Sequence, residues 1–323
     1  LETIDGRIPS AEDGASWPVI LENYQPTLMD NKFLFFKKKY GVKNTEPTIS
    51  GNGSHHFGDR VEVPNTDKLV FAEISIRPSV LGKLAKTLFK SAPLQINIQL
   101  ENGAQRQYRI MAGMVQAGLL ISPLIENTLE LALLYGGSGD LDDKVVDSFS
   151  IGPVGGDSRL WHDEYSVTFK QFGLPQPVDL SKAIKFNGRV NDSLSRQVSI
   201  AAECAGNIDS VNGVNLGSAS TKILPSGILR VSGWLTTSVE KPTKTDAVFL
   251  VLRNERGETT FFQTPLNLRP DVGAHFMKPE LNESGYESTV DVSEFNGKYT
   301  LGIAFRLADK VKICPQYQIP IHF

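Results

Sequence analysis

The chain has 323 residues, of which 40% are hydrophobic and 21% are charged, and its formal net charge is −3. This length suits two domains of roughly 100–200 residues each, and the hydrophobic content excludes a disordered chain. Acidic and basic residues are interspersed without a basic stripe, so we expect no nucleic-acid partner. No apolar run approaches the roughly 18 residues that a membrane-spanning helix needs. Because the chain begins with Leu1 rather than Met, we expect a mature chain or a part of a longer protein.

The first 60 residues are predicted to form a partly helical segment that packs on the first domain. Residues 19–40 carry apolar side chains at helix-like spacing, and Pro26 interrupts them, so we expect two short helices. Farther on, the Gly-Asn-Gly-Ser sequence of residues 51–54 has the composition of a turn.

Residues 61–175 are predicted to form the first domain, a jelly-roll-like antiparallel β-sandwich. Residues 94–100 show the underlying pattern, because apolar and polar side chains alternate there without interruption. Residues 78–90 instead place their apolar side chains on one helical face, which predicts a short helical insert. Turn residues separate the strand-like segments and no long helix intervenes, which favours antiparallel sheets. The other predicted strands are residues 68–77, 106–112, 118–124, 145–151 and 165–172.

Residues 176–323 are predicted to form the second domain, an immunoglobulin-like antiparallel β-sandwich. The Gly and Pro residues at 173–177 predict a linker before it. About seven strand-like segments follow, which is the number expected for an immunoglobulin-like sandwich. The chain is therefore expected to be mainly β. The predicted strands of this domain are residues 196–202, 228–236, 247–254, 259–265, 286–291, 297–308 and 317–323.

The two cysteines, Cys204 and Cys314, both lie in the second domain. They permit one disulfide that closes a loop of roughly 110 residues. By the chain-entropy argument, such a bond would stabilise the folded state by about 4–5 kcal/mol. Two buried free thiols in a cytosolic protein are the alternative. The two residues alone therefore leave the compartment open.

Residues 161–165 combine two aromatic rings, an imidazole and two carboxylates. We predict Trp161, His162, Asp163 and Tyr165 as glycan contacts, because aromatic faces stack on sugars and polar side chains hold their hydroxyls. A packed Trp161 with solvated acids is the alternative, since adjacent residues of a strand face opposite sides. Catalysis by Asp163 or Glu164 would need a partner carboxylate elsewhere, so we assign no catalytic residue.

Asp140, Asp142 and Asp143 form an acidic loop whose spacing is tolerable for Ca²⁺, which binds several oxygen ligands. No Glu follows at the spacing of an EF-hand, so a solvated turn is the alternative. We therefore expect no cofactor, with a structural calcium at these three aspartates as the open alternative.

Several segments of the second domain occur in a characteristic order along the chain. They are Cys204, Asn-Ile-Asp-Ser-Val-Asn-Gly (207–213), Val-Ser-Gly-Trp (231–234), Leu-Arg-Pro-Asp-Val (268–272), Ser-Gly-Tyr (284–286), Phe-Asn-Gly-Lys-Tyr (295–299) and Cys314. In this order they resemble the extracytoplasmic C-terminal region of bacterial membrane-embedded glycosyltransferases and related polysaccharide-assembly proteins. The first domain is similar to that region through residues 71–89 and 108–124.

The resemblance implies a bacterial protein in the periplasm or at the cell surface, tethered to the membrane through a longer chain. It also favours the disulfide between Cys204 and Cys314. In that group a multi-span membrane part performs the glycosyl transfer and the soluble part lies outside the cytoplasm. We therefore expect no catalytic activity from this segment alone, whereas the parent chain would be a membrane-bound glycosyltransferase.

Three residues of these segments are predicted to have structural roles. Trp234 is expected to fill the core of the sandwich and to pack on the disulfide. Arg269 is expected to pair with a carboxylate at a turn fixed by Pro270 and Asp271. Ligand binding by Arg269 and Asp271 is the alternative.

We expect the chain to bind or position a glycan or glycolipid for a membrane-embedded glycosyltransferase. Its partners would be that glycan or glycolipid, and a membrane-embedded domain or another envelope protein. One alternative is a structural or protein-interaction module of an envelope complex, which needs an exposed apolar patch. The other is a polysaccharide hydrolase, which needs two carboxylates about 5–10 Å apart across a groove.

Overall fold

The computed structural model describes residues 5–30, 33–41, 46–88, 93–137, 139–156, 158–190, 198–212, 214–215 and 227–323. The chain forms two compact units, Leu1–Ile184 and Lys185–Phe323. Both consist mainly of antiparallel strands, so the predicted mainly β class is confirmed. Across these described residues, no helix combines the length and the apolar character that crossing a membrane requires.

The first unit contains ten strands and five helices in its described residues. The strands are β1 (Tyr24–Asp30), β2 (Phe33–Lys38), β3 (Thr48–His56), β4 (Val61–Glu62), β5 (Leu69–Pro78), β6 (Leu94–Leu100), β7 (Gln105–Ile110), β8 (Leu119–Ser122), β9 (Val146–Pro153) and β10 (Trp161–Phe172). The helices are α1 (Ser16–Asn23), α2 (Val80–Leu88), α3 (Ala112–Gln116), α4 (Thr128–Leu133) and α5 (Leu180–Ala183), with 3₁₀ turns at Pro9–Ala11, Gly139–Lys144 and Val154–Gly156.

Two four-stranded antiparallel sheets of the first unit share one core. Their strand orders are β3-β10-β5-β8 and β4-β9-β6-β7. Ile74 and Val167 come from the first sheet, and Ile96 and Phe149 come from the second, and all four are buried in the same apolar cluster. Alternate residues of each strand face this cluster, as expected for two sheets packed face to face. The arrangement is therefore sandwich-like, and the jelly-roll subtype stays a prediction.

The N-terminal segment packs with residues on the opposite face of the first sheet. Trp17 and Leu21 of α1 join Phe71 of β5 and Tyr135 in a second apolar cluster. The prediction of two helices in residues 19–40 is wrong in its second half, because the chain after α1 forms the antiparallel hairpin β1–β2. Exposed and half-buried side chains alternate along Phe33–Phe36 of β2, which is the strand period rather than the helix period. Phe36 on its inner side contacts Tyr135, with 5.8 Å between ring centroids.

The predicted turn at residues 51–54 is also wrong. These residues lie in the middle of β3, where Gly53 pairs with Val167 of β10. Local turn composition is outweighed here because β10 offers a complete row of backbone partners along one edge of β3.

The predicted linker, residues 173–177, lies inside the first unit. Just after it, the Val178 N–H donates to the carbonyl oxygen of Tyr135 at 2.7 Å. Residues 176–184, which the sequence assigned to the second domain, therefore belong to the first unit, and the second begins at Lys185.

A buried ion cluster ties α4 to the strands of the first unit. The Lys144 ammonium lies 2.7 Å from a carboxylate oxygen of Glu126 and 2.7 Å from one of Glu130. The Tyr108 hydroxyl also donates to Glu126. The Asn127 side chain accepts from the Glu130 N–H, and the Glu130 carboxylate accepts from the Glu126 N–H. These contacts cap the start of α4 in the manner of a capping box.

The second unit contains eleven strands and one α-helix in its described residues. The strands are β11 (Val198–Ile200), β12 (Ala205–Val211), β13 (Val214–Asn215), β14 (Ile228–Thr236), β15 (Ala247–Asn254), β16 (Thr259–Thr264), β17 (Leu266–Asn267), β18 (Gly285–Asp291), β19 (Lys298–Leu307), β20 (Lys310–Ile313) and β21 (Ile319–His322). The helix is α6 (Pro270–His275), and a 3₁₀ turn follows at Pro279–Glu283.

The strands of the second unit also form two sheets around one core. One sheet has the order β11-β20-β19-β15-β16, with β21 paired to β19, and the other has the order β13-β12-β14-β18-β17. The pairing of β11 with β20 is parallel, and the other pairs are antiparallel. Leu250 and Ile303 of the first sheet meet Val231 and Tyr286 of the second. The immunoglobulin-like subtype stays a prediction.

Cys204 and Cys314 form a disulfide, so the bonded alternative is confirmed. Cys204 directly precedes β12 and Cys314 directly follows β20, so the bond joins the two sheets of the second unit. Their Cα atoms are 5.7 Å apart, and Cys314 is fully buried in the shared core.

Candidate functional site

The predicted glycan contacts do not form one exposed site. Trp161 and Tyr165 are only 9% and 2% exposed, and both belong to the core of the first unit. Tyr165 packs against Phe57, with 5.9 Å between ring centroids. Neither ring presents a free face to a sugar, so the predicted stacking role is wrong for both. The two residues lie four positions apart on β10, so they share one face of the strand, and that face is packed into the core.

His162 and Asp163 remain on the surface of the first unit. They line a depression of about 500 Å³ together with Ser54, His56 and Arg77. This depression is polar; Tyr165 also lines it but is almost completely buried, and Trp161 is not among its lining residues. The segment therefore offers hydrogen-bonding groups without an exposed aromatic platform.

A second polar surface lies on the outer face of the sheet β4-β9-β6-β7. Side-chain amides pair across β6 and β7, where Gln107 donates to Asn97 at 2.8 Å and Gln105 donates to Gln99 at 2.9 Å. These residues and Arg60 line a depression of about 580 Å³. The amide side chains hydrogen-bond to one another. The aromatic residue that lines this depression, Phe149, is buried, so this face, like the previous one, presents polar groups without an exposed aromatic ring.

The second unit brings aromatic and charged residues together in one cleft. Trp234 lies on β14, Arg269 precedes α6, Asp271 is in the first turn of α6, and Phe276 directly follows that helix. With Asn207 and His275 these residues line a cleft of about 540 Å³. Asn207 lies opposite Trp234 in the register of β12 and β14, so both side chains belong to the same sheet face.

The prediction that Trp234 fills the core is wrong. Trp234 is half-buried on the outer face of β14, while Leu229, Val231 and Leu235 of that strand face the core. Its ring lies 5.4 Å from that of Phe276, measured between centroids. The core position is taken by Tyr286 of β18, which is fully buried and donates its hydroxyl to the carbonyl oxygen of Asn207 at 3.0 Å.

Two glycines make this exchange of positions feasible. Gly233 lies opposite Tyr286, and a Cβ at Gly233 would meet the Tyr286 hydroxyl at 2.4 Å. A Cβ at Gly285 would meet the Arg269 side chain at 2.4 Å. The Gly residues of the Val-Ser-Gly-Trp and Ser-Gly-Tyr segments therefore leave room for the core tyrosine and for the stem of the cleft arginine.

Arg269 is held by carboxylates on two sides. Its Nε and Nη2 atoms donate to the two oxygens of Asp271 at 2.8 and 2.6 Å, and its Nη1 atom donates to Asp209. Asn207 donates to the other oxygen of Asp209 at 2.8 Å. A guanidinium held in a bidentate pair keeps a fixed orientation. The cleft therefore presents a preorganised ion pair beside two aromatic rings.

The hydrogen bonds from Arg269 hold the pKa of Asp271 below its ordinary value. Arg269→Gln is expected to raise the pKa of Asp271 toward about 3.9, the ordinary value for an aspartate. Because the folded-state pKa is lowered, this pairing stabilises the fold above the unfolded-state pKa and is lost as pH falls through the folded-state value. A carbon-detected NMR titration of the Asp271 carboxyl measures the change.

The matched control for this titration is Lys244→Gln. Lys244 pairs with Glu283 instead, at 2.5 Å, so its removal should leave the titration of Asp271 unchanged. An Asp271 that titrates at the ordinary value in the unsubstituted protein would contradict the prediction.

The predicted calcium ligands lie in the 3₁₀ turn Gly139–Lys144. Asp140 is buried, whereas Asp142 and Asp143 are more exposed. In the described parts of the chain, no three His, Cys, Asp or Glu side chains converge as a metal site would require. The structural calcium therefore stays a prediction without an observed ligand set.

Sequence reasoning assigned Trp234, Arg269 and Asp271 to structural roles and did not single out Asp209, His275 or Phe276 for the cleft. Asp209 lies within a segment that carried the resemblance, so the order of those segments was the available signal.

Comparison of the chain with protein-family models, with curated proteins and with solved structures found no match in any of the three.

Proposed function

We propose that this chain is a non-catalytic, extracytoplasmic region that binds a glycan or glycolipid in the Trp234 cleft. The observation that carries the proposal is the meeting of Trp234 and Phe276 with the ion pair of Arg269 and Asp271 in one cleft of about 540 Å³. Sites for small polar ligands combine apolar contact area with a few oriented polar groups.

The aromatic residues supply the stacking surface. Trp234 and Phe276 are each half-buried, so their outer parts are accessible while their inner parts are fixed by packing. A pyranose ring presents a face of C–H groups, which makes favourable contact with the electron-rich face of an aromatic ring. Because the two rings are already packed against each other, little side-chain entropy is lost when a sugar binds.

The ion pair supplies the polar contacts. Asp271 has a largely exposed carboxylate whose orientation Arg269 fixes, so it can accept hydrogen bonds from sugar hydroxyls. The lowered pKa of Asp271 keeps it ionised near neutral pH, so it is suited to accept hydrogen bonds and not to act as a general acid.

The proposed location rests on two observations. The Cys204–Cys314 disulfide is typical of proteins in oxidising compartments such as the periplasm or the cell surface. The order of segments from Cys204 to Cys314 resembles that in the extracytoplasmic region of bacterial membrane-embedded glycosyltransferases. We therefore propose that the bound glycan or glycolipid is held near such a membrane-embedded partner.

Trp234→Ala is expected to weaken glycan binding about tenfold or more, because it removes the stacking surface. Trp234→Phe should retain most of the affinity, since an aromatic face remains. An array of bacterial polysaccharides identifies the glycan, and isothermal titration calorimetry measures each variant. The paired substitution His162→Ala and Asp163→Ala, in the first unit, serves as the matched control and should leave binding unchanged.

Three outcomes would count against the proposal. One is the absence of binding to any polysaccharide on the array, and another is equal affinity of the Trp234→Ala variant and the unsubstituted protein. The third is a loss of binding in the His162 and Asp163 variant alone, which would move the site to the first unit.

A protein-interaction module is the second candidate, and exposed apolar residues favour it. Leu268 and Met277 are largely exposed and flank the cleft residues in sequence. Leu268→Ser separates the two candidates. It should leave glycan affinity unchanged if the cleft binds a sugar, and it should disrupt assembly, measured by light scattering, if this surface binds protein.

A further inference from the structure

The hairpin β1–β2 has one buried face and one exposed apolar face. On the inner face, Met29 is buried and Phe36 contacts Tyr135. These contacts attach the hairpin to the first unit. The apolar residues of the outer face are instead exposed.

The outer face carries large apolar side chains. Phe33 is 70% exposed and Phe35 is 52% exposed, and Leu28 lies directly opposite Phe35 in the hairpin register. Two exposed phenylalanines and a leucine on one small sheet face form a contiguous apolar patch, which we call the hairpin patch. Such a patch on a folded protein marks a surface that another phase or molecule covers.

Positive charge follows the hairpin patch at the end of β2. Lys37 and Lys38 are both exposed, and Tyr40, which comes shortly after them, is 90% exposed. Phe33 and Lys37 are four residues apart, which is about 13 Å along a strand. In the described strands of the hairpin, Asp30 is the single acidic residue; it is half-buried and lies opposite Phe33 in the register. The surface therefore changes from apolar at Phe33 to cationic at Lys37.

We propose that the hairpin patch docks the first unit on an anionic lipid bilayer. Phenylalanine and leucine enter the boundary between headgroups and acyl chains, tyrosine prefers the headgroup level, and lysine binds anionic headgroups. Phe33, Phe35 and Lys37 lie in this order along one face of β2, which matches this gradient of polarity, and Lys38 and Tyr40 follow at its cationic end. A second copy of the chain is a poorer occupant, because it would bring another lysine-flanked patch toward this one.

Docking requires both the apolar and the cationic parts. A single apolar contact or a pair of lysines alone gives marginal, reversible membrane binding, whereas the combination gives stable attachment. The proposal does not depend on glycan binding, because it concerns the first unit and the cleft belongs to the second.

Co-sedimentation of the full chain with lipid vesicles tests the proposal. One set of vesicles contains phosphatidylcholine alone, and the other contains about one-third anionic phosphatidylglycerol. Affinity for the anionic vesicles is expected to be at least about tenfold higher and to fall as salt is added, because the lysines are screened. Phe33→Ser with Phe35→Ser, and separately Lys37→Gln with Lys38→Gln, should each reduce binding by about tenfold.

The matched control is Leu174→Ser, which removes an exposed apolar residue of the same unit outside the hairpin and should leave binding unchanged. Circular dichroism confirms that each variant is folded, and Phe33→Ser alone replaces the double variant if that one unfolds. Failure of the unsubstituted protein to bind anionic vesicles, or equal binding by Phe33→Ser, would overturn the proposal. A vesicle-independent dimer that Phe33→Ser dissociates would also overturn it, since the patch would then pair two copies.

Discussion

Lys144→Met is expected to destabilise the first unit by about 3–5 kcal/mol, because it leaves the buried Glu130 carboxylate without its cation and removes the closer of the two cations beside Glu126. Glu130 and Lys144 are almost completely buried, and Glu126 is mostly buried. Removal of Lys144 leaves the Glu130 charge desolvated and without a cation, whereas Glu126 keeps the Arg106 guanidinium at 3.4 Å. The loss therefore exceeds that expected for a surface ion pair, which contributes about 0–1 kcal/mol.

The pH dependence of this variant follows from the pKa shifts. Burial raises the pKa of the Glu130 carboxyl. Burial alone would lower the pKa of Lys144, but Glu130 and Glu126 raise it above its ordinary value. In the unsubstituted protein, Lys144 therefore stabilises the fold below its unfolded-state pKa, and this contribution is lost as pH rises through the folded-state value.

In the Lys144→Met variant, no ammonium group opposes the effect of burial, which raises the pKa of Glu130. Its folded state then favours a protonated Glu130, so the penalty grows as pH rises above the unfolded-state pKa of about 4.3. The stability difference between the variant and the unsubstituted protein should narrow as pH is lowered from about 8 to about 5.

The free energy of unfolding of the first unit is measured by urea unfolding, with hydrogen-exchange mass spectrometry of its peptides as the readout. Resolution by peptide is needed because two units can unfold separately. The matched control is Lys170→Met, which removes a half-exposed ion pair with Glu73 and should lower stability by at most about 1 kcal/mol. Replacing Lys144, Glu126 and Glu130 together by Met, Gln and Gln should recover part of the loss. A Lys144→Met variant within about 1 kcal/mol of the unsubstituted protein would refute the prediction.

Replacement of both cysteines by alanine is expected to destabilise the second unit by about 4–5 kcal/mol. The bond between Cys204 and Cys314 closes a loop spanning 110 positions, so it removes many conformations from the unfolded chain. It also joins β12 of one sheet to β20 of the other at their ends. Alanine is chosen because Cys314 is fully buried and a serine hydroxyl there would require a hydrogen-bond partner.

The same unfolding experiment, read on peptides of residues 227–323, measures the effect of the disulfide. Reduction of the unsubstituted protein with dithiothreitol is the control, and it should reproduce the loss without any change of side-chain volume. The first unit contains neither cysteine, so its peptides should keep their stability. A loss below about 1 kcal/mol in the second unit would show that the chain-entropy argument does not apply.

Much of the strand pattern could be predicted because alternation is a local property. Residues 228–236 and 247–254 were predicted with the bounds of β14 and β15, and residues 94–100 with those of β6. The helical insert was also found, as α2, because its apolar residues recur with the helix period. Short strands such as β13 and β17 were missed, since two residues carry no period.

The errors occur where a distant part of the chain outweighs local composition. The turn-like residues 51–54 are extended because β10 pairs with them. The second predicted helix is the hairpin β1–β2, whose inner face is fixed by contact with Tyr135, about a hundred residues away in sequence. Local propensity is weak beside a complete row of backbone hydrogen bonds or a buried aromatic contact.

The sequence by itself determined the mainly β class, most strand positions and the pair of cysteines available for a disulfide. It could not determine which face of β14 is buried, because alternation separates the two faces without saying which one meets the core. The tertiary structure decided this when Tyr286 took the space over Gly233 and left Trp234 outside, next to Phe276 and Arg269. The physical reason is that a core accepts only the side chains that fill its volume, and that volume is set by strands far apart in the chain.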